Sequence, residues 1–358
     1  MFERARVAIG AAFVGRIPER LAIGFAALAV TTVGGAVLLL AGGYDPLHAA
    51  GAMLRGSVGG WDAVMSFTLV RSVPLILAGL AVALAFRAGV WNIGAEGQLY
   101  AGAIAAVWVG LNGAAFPAWV LMPAVLGAAA VAGAAWALVP TLMRLRLGVG
   151  EVITTILMNF VALHLTAYMV QGPLQEPRGV FPQTGQIVEA ARLPVLVPGT
   201  RLHVGFVLAV ALAVALAIVL RRSRFGFHIR AVGASPEAAR ISGGIDVDRV
   251  VFISFLGSGA IAGLAGGVQV AGVTYALYED LSPGWGFTAI AVALLAGLSP
   301  LGVIVTGVFF GALQAGSGAM QREAGIPSAW VWVVEALVIL AVLAIDRAWR
   351  QRARGGVS

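Results

Sequence analysis

The sequence predicts an all-α membrane protein of about ten transmembrane helices, one of them re-entrant or broken near residues 87–98. Three observations lead there. Of 358 residues, 60% are hydrophobic and 11% are charged, against about 25% charged in a soluble domain. Apolar runs of about 20 residues recur along the chain, long enough to cross a hydrocarbon core as helices. The 48 glycines suit close helix packing in lipid, and neither strand pairs nor β-barrel alternation is present.

Residues 1–20 carry Arg4, Arg6, Arg16 and Arg20 and read as a cytoplasmic N-terminus, because basic flanks stay inside. Span 1, Leu21–Ala41, is too long for a typical cleaved signal sequence. Tyr44–Phe67 is less apolar and predicts a short external interfacial helix with Trp61 at headgroup level. Span 2 is Thr68–Phe86. The run RAGVWNIGAEGQ (87–98) then interrupts the apolar pattern. Span 3, Leu99–Val109, is too short alone, so the polar run lies partly within the membrane. Such backbone is tolerated only where protein or a water-filled cavity surrounds it. Span 4 is Ala118–Leu138, Arg144 and Arg146 mark an inside loop, and span 5 begins at Glu151. Residues 171–201, with five prolines, form an external loop before span 6, Leu202–Leu220.

The inner loop 221–249 holds six arginines and a helix start. Ser235 can cap orphan N–H groups, Pro236 fits the first helical position, and Glu237 favours the positive dipole end. Ala238, Ala239 and Arg240 continue the helix, and Gly243 ends it. Asp246 or Asp248 caps span 7, Val250–Ala271, whose Gly259, Gly263 and Gly267 form a flat face. Tyr275–Trp285 is an outside loop. Spans 8, 9 and 10 are Phe287–Leu298, Leu301–Gln314 and Trp330–Ile345. Residues 21–346 make one permease domain, and 347–358 form a cytoplasmic tail. This topology puts 17 of the 23 arginines inside.

Absences narrow the chemistry. All 23 basic residues are Arg, so no P-loop lysine and no Schiff base is available. Without Cys there are no thiolate sites, and four scattered histidines have no metal-ligand spacing. No catalytic constellation, cofactor site or metal site stands out, so the chain reads as a transport subunit and not an enzyme. The net charge of +7 follows membrane topology and not nucleic-acid binding. Glu96, Glu151 and Glu335 are acids in or near apolar spans, where they are expensive. Glu151 fits a helix N-terminus at the inner end of span 5. Asn92, Glu96, Gln98 and Asn159 are the candidate lining of a translocation path. Their structural alternative is to hold the broken helix, with Asn159 bonded to a neighbouring helix. His164 reads as an interior histidine.

The runs RSVPLILAGLAVALAFRAGVWNIGAEGQLYAGA, GVGEVITTILMN, IRAVGASPEAARISGGI and LSPGWGFTAIAVALLAGLSPLG resemble the membrane permeases of bacterial ABC importers for nucleosides or simple sugars. The likeness covers about Asp45–Ala344. It implies the ten-span importer permease fold in the bacterial inner (plasma) membrane, both termini cytoplasmic. It also implies ATP hydrolysis on a separate cytosolic ATP-binding subunit, a second permease subunit forming a heterodimer, and an extracytoplasmic solute-binding lipoprotein. Ser235–Gly243 would be the coupling helix that docks on the ATPase. A purine nucleoside is the leading cargo, with a simple sugar or amino acid as the alternative. An ion-coupled secondary transporter is the other class to separate.

Overall fold

The computed structural model describes residues 29, 32–327, 329, 330, 332, 333, 336, 337, 340 and 341. Among them the chain is helical, with only isolated bridges in place of strands. In chain order the helices are α1 (Thr32–Ala41), α2 (Pro46–Val58), α3 (Leu69–Arg87), α4 (Ala95–Asn112), α5 (Ala118–Leu147) and α6 (Glu151–Gln171). They continue as α7 (Gly205–Arg222), α8 (Arg224–Ala234), α9 (Pro236–Gly243), α10 (Val247–Gln269), α11 (Trp285–Leu295) and α12 (Pro300–Ala324). Single π-turns extend α3 backwards over Ala63–Thr68 and α10 forwards over Val270–Thr274.

Among the described residues six helical stretches are long and apolar enough to cross a membrane: Ala63–Arg87, Ala118–Leu147, Glu151–Gln171, Gly205–Arg222, Val247–Thr274 and Pro300–Ala324. They correspond to expected spans 2, 4, 5, 6, 7 and 9. The chain is therefore a multi-pass membrane protein, and the count of ten is not reached among the described residues. Span 3 becomes α4, whose first turn holds Glu96, Gly97 and Gln98 and dilutes its apolar character. Span 8 becomes α11, only 11 residues long. The first part of span 1 and most of span 10, together with Glu335, the N-terminal 20 residues and the tail, lie outside the described residues.

The chain divides into two compact units. The larger, Ser72–Val308, is built on α10, which packs against α5 and α4. The predicted glycine face makes that possible. A Cβ on Gly263 would strike the Ala129 carbonyl and Gly133, and one on Gly102 would strike the Gly263 backbone. Gly259 meets Gly133 and Ala137, and Gly267 meets Ala129. Backbones approach closely here, and dispersion between them replaces the water-driven force that lipid does not supply. In the same unit Gly79 sits against Val292 and Val303, and Thr306 donates to the Val292 carbonyl at 2.9 Å.

Residues 172–204 fold as an ordered cap on this unit. Backbone bonds join Thr184 to Leu277, Ile187 to Tyr275 and Leu193 to Ala271. His203, near the end of this cap, is buried, and its Nδ1 accepts from the Gly205 N–H at 3.2 Å. Burial pushes its imidazole down to about 4 and the Tyr278 phenol up.

The smaller unit comprises 1–71 and 309–358. Asp45 caps α2, accepting from Leu47 N at 2.9 Å, which places a helix where an interfacial one was expected. Trp61, just beyond it, is exposed. Gly56 of α2 lies against Ala319 and Ala315 of α12, and Gly316 lies against Met53. Arg55 and Glu323 pair at 2.6 Å. Helix α12 thus runs ten residues past the expected end at Gln314. One of its later polar groups is absorbed locally: Ser317 donates to the Gln314 carbonyl at 2.9 Å.

Candidate functional site: a polar frame around a broken helix

The chain leaves α3 at Arg87 and re-enters helix at Ala95. Gly89 turns it with φ of +73°, a conformation that suits a residue without a Cβ. Between these points the backbone has no helical partners, so every polar group needs another acceptor or donor. Four side chains supply them. Asn92 Nδ2 donates to Gln98 Oε1 and to Ser258 Oγ, each at 2.9 Å. Asn92 Oδ1 accepts from Gly94 N at 2.9 Å and from Gln98 Nε2 at 3.1 Å. Ser258, on α10, donates in turn to the Ala81 carbonyl at 2.6 Å.

Asn159 works from α6. Its Oδ1 accepts from Gly97 N at 2.8 Å, and its Nδ2 donates to the Ile93 carbonyl at 2.9 Å. Gly94, the residue before α4, makes no side-chain cap of its own, so Asn159 caps α4 from a neighbouring helix. Gly97 is required there: a Cβ would lie 3.0 Å from both Asn159 Oδ1 and the Met158 carbonyl.

Glu96 binds differently. Its Oε2 accepts from Gly286 N at 2.5 Å, and the Ser282 side chain also bonds to it. Gly286 is the second residue of α11, and Glu96 is the second residue of α4. One carboxylate therefore faces the N-terminal turns of two helices, where partial positive charge gathers. Tyr100, one turn along, accepts from Ser282 N at 3.1 Å and donates to the Glu279 carbonyl at 3.1 Å.

Asn92, Glu96, Gln98 and Asn159 are thus brought into one polar frame at the interruption, in separate hydrogen-bonded sets, all buried with at most 2% exposure. Ser258, Ser282, Tyr100 and Gly286 complete it and were not singled out from the sequence. Ser258 carried a weak signal, as a hydroxyl inside an otherwise apolar, glycine-rich span.

At the other end of the interruption, Glu151 opens α6 and pairs with Arg144 at 2.7 Å. The same carboxylate accepts from Trp91 N at 3.3 Å. Arg87 Nε donates to the Leu298 carbonyl at 2.7 Å. His164, expected inside, is instead exposed on α6.

The inner loop forms two helices where one was expected. Ser223 caps α8, accepting from Gly226 N at 2.9 Å. Ser235 then caps α9, accepting from Ala238 N at 3.3 Å, with Pro236 first in the helix. Helix α9 ends at Gly243, and Gly244 turns left-handed with φ of +57°. Asp246 caps α10, accepting from Arg249 N at 3.0 Å. Glu237, Ala238 and Arg240 are exposed, whereas Ala239 is buried. Helix α8 joins this hairpin to the broken stretch. A Cβ on Gly233 would collide with the Arg87 carbonyl and lie 3.4 Å from Gly89 N.

A family profile described as the permease component of branched-chain amino acid transport systems matches residues 64–343. The chain belongs to this permease family. Permease sequences of known assignment extend the match. This permease is 41% identical to a glucose ABC transporter permease of Haloferax volcanii, across 91% of this chain and 88% of that one. It is 39% identical to a guanosine ABC transporter permease of Bacillus subtilis, across 90% and 93%. It is 33% identical to a nucleoside ABC transporter permease of Lactococcus lactis, across 86% of each. No solved structure matches the permease.

Proposed function

We propose that this permease is the membrane subunit of an ATP-driven importer that carries a nucleoside, with purine nucleosides first among them. The observation that carries the cargo assignment is the 39% identity to a guanosine permease over nine-tenths of both chains. A second reading, glucose, rests on the 41% identity to a glucose permease. ATP is hydrolysed on a separate cytosolic ATP-binding subunit, since this chain has no lysine for a P-loop. A second permease, forming a heterodimer, and an extracytoplasmic solute-binding lipoprotein complete the assembly. The protein sits in the bacterial inner membrane with both termini cytoplasmic.

In this reading α9 is the coupling helix: Ser235, Pro236, Glu237, Ala238, Ala239, Arg240 and Gly243 present it to the ATPase. Its exposed Glu237 and Arg240, and its rigid caps at both ends, support that role. Closure of the ATPase pushes α9 and the adjoining α8. Gly233 bears directly on Arg87–Gly89, where the helix is interrupted. Asn92, Glu96, Gln98 and Asn159 border the path and hold the interruption in shape while the surrounding helices tilt. Each end state binds cargo differently, and ATP drives the exchange between them.

The test is uptake by proteoliposomes holding the full importer and its binding protein. Radiolabelled guanosine and adenosine accumulate on ATP addition, and unlabelled glucose does not compete. Accumulation of glucose with no response to guanosine overturns the nucleoside reading. Uptake driven by a proton or sodium gradient without ATP overturns the importer class.

A further inference from the structure

Two guanidinium groups in the smaller unit converge on one glycine. Gln314, Gly318 and Arg322 stand four residues apart on α12, so they share a face of that helix. Arg71, near the start of α3, reaches this face and donates through Nη1 to the Gln314 carbonyl. A Cβ built on Gly318 would find Arg322 Nη1 at 3.3 Å, and Arg71 Nη2 and Nη1 at 3.7 and 3.9 Å. The three atoms nearest the open side of Gly318 are thus all guanidinium nitrogens, from two arginines.

Like charges held this close repel, and most strongly beside lipid, where screening is weak. Among the described residues neither arginine forms an ion pair. The neighbouring acid, Glu323, is taken by Arg55 at 2.6 Å. A charged group in or beside a span, with no counter-charge among the described residues, marks a candidate ligand site. Arginine forks match oxyanions geometrically, and two forks turned to one spot can share one.

We propose that Arg71 and Arg322 form a phosphate-binding site over Gly318. The phosphate is supplied by a phospholipid headgroup or by a soluble phosphate compound. Placement favours the lipid. Arg322 lies two residues before the end of α12, where headgroups lie, and Arg71, eight residues inside the span Ala63–Arg87, reaches the same face of α12 through its long side chain. Arg322 is exposed and Arg71 partly so, which leaves the site reachable. Leu54, Val58 and Trp61 of the same unit are exposed apolar surface on which acyl chains can lie.

The full-length chain in mild detergent is titrated with dioleoyl phosphatidylglycerol and, separately, with dioleoylglycerol, and bound lipid is read by native mass spectrometry. One phosphatidylglycerol is retained, and dioleoylglycerol is not. Retention falls at least five-fold in R71Q and in R322Q. R322Q alters an exposed helix end, so it tests the site even where R71Q fails to insert. Displacement by millimolar inorganic phosphate assigns the site to soluble phosphate, and persistence assigns it to lipid. Equal retention by the wild type and R322Q overturns the proposal. So does a transport defect of R71Q that E335Q relieves, because Arg71 would then balance a carboxylate of this chain.

Discussion

Replacing Glu96 separates a residue that holds the broken helix from one that touches cargo. Its carboxylate accepts the Gly286 N–H at 2.5 Å and bonds Ser282, and Glu96 itself is buried. Glu96→Ala leaves that N–H without an acceptor, which costs about 1–3 kcal/mol. It also removes an anion from the N-terminal turns of α4 and α11, worth about 0.3–1 kcal/mol at a surface and up to about 2 in a buried setting. The expected loss is therefore about 2–4 kcal/mol. Glu96→Gln keeps an acceptor oxygen in place and loses only the charge-dependent part, about 1–2 kcal/mol. Thermal unfolding of the purified chain, followed by tryptophan fluorescence, should rank wild type above Gln above Ala, with all three inserted in the membrane. Uptake should follow the same order through its maximal rate. Unfolding midpoints that do not move, together with a large rise in KM in both variants, would refute the holding role and place Glu96 against the cargo.

Exchanging charges on α9, with Glu237→Arg and Arg240→Glu together, should lower uptake at least ten-fold while the chain remains folded and inserted. The Arg240–Asp248 pair is 65% and 68% exposed and contributes little to stability; wild-type uptake in this variant would exclude α9 as the docking element. Gly263→Val should destabilise the α10 contact with α5 and α4 by about 1–3 kcal/mol or more, because its side chain has only backbone to displace; normal yield and normal melting would contradict the packing described. His203 supplies a pH test. Its pKa of about 4 in the folded chain lies below the usual ~6.5, so the unfolded chain takes up the proton first. Stability should hold steady above about pH 6.5 and fall by up to about 3 kcal/mol as pH drops towards 4. Melting curves from pH 7.5 to 4.5 check this, and His203→Asn should flatten the slope.

Features written within a few residues were legible in the sequence. Ser235, Pro236 and Glu237 announce a helix start, and Gly243 announces its end, because capping is local chemistry. The glycines at 259, 263 and 267 announced a contact face by spacing alone, and α5, α4 and α10 meet there. Helix α8 was missed although Ile229 and Val232 sit with Gly226 on its buried face; five charged or histidine residues in Arg221–Arg230 masked that short period. The sequence pattern ends α12 early because Gln314, Ser317 and Arg322 lower its apolar character, whereas the Gln314 carbonyl accepts from Arg71 of α3 and Ser317 bonds within the helix. Partners far apart in sequence gave no signal. Asn159 reaches Gly97 across 62 residues and Glu96 reaches Gly286 across 190. The sequence could flag both side chains as costly in lipid without saying whether protein or cargo satisfied them.

The contacts along the proposed coupling route share one property. Gly233 against the Arg87 carbonyl, Gly97 against the Met158 carbonyl and Gly286 against the backbone of Glu96 are approaches to main chain. A side chain between two helices can absorb a small shift by changing rotamer, but main chain against main chain cannot. A push on α8 therefore either moves Arg87–Gly89 or breaks the contact. The next segment is no softer, since Arg144 and Glu151 hold Gly89 and Trp91, and Asn92 fixes Gly94. The interruption between α3 and α4 is thus irregular without being loose. In the proposed cycle that stiffness lets a displacement at the inner face reach Glu96 and the start of α11. A flexible loop of the same length would dissipate it.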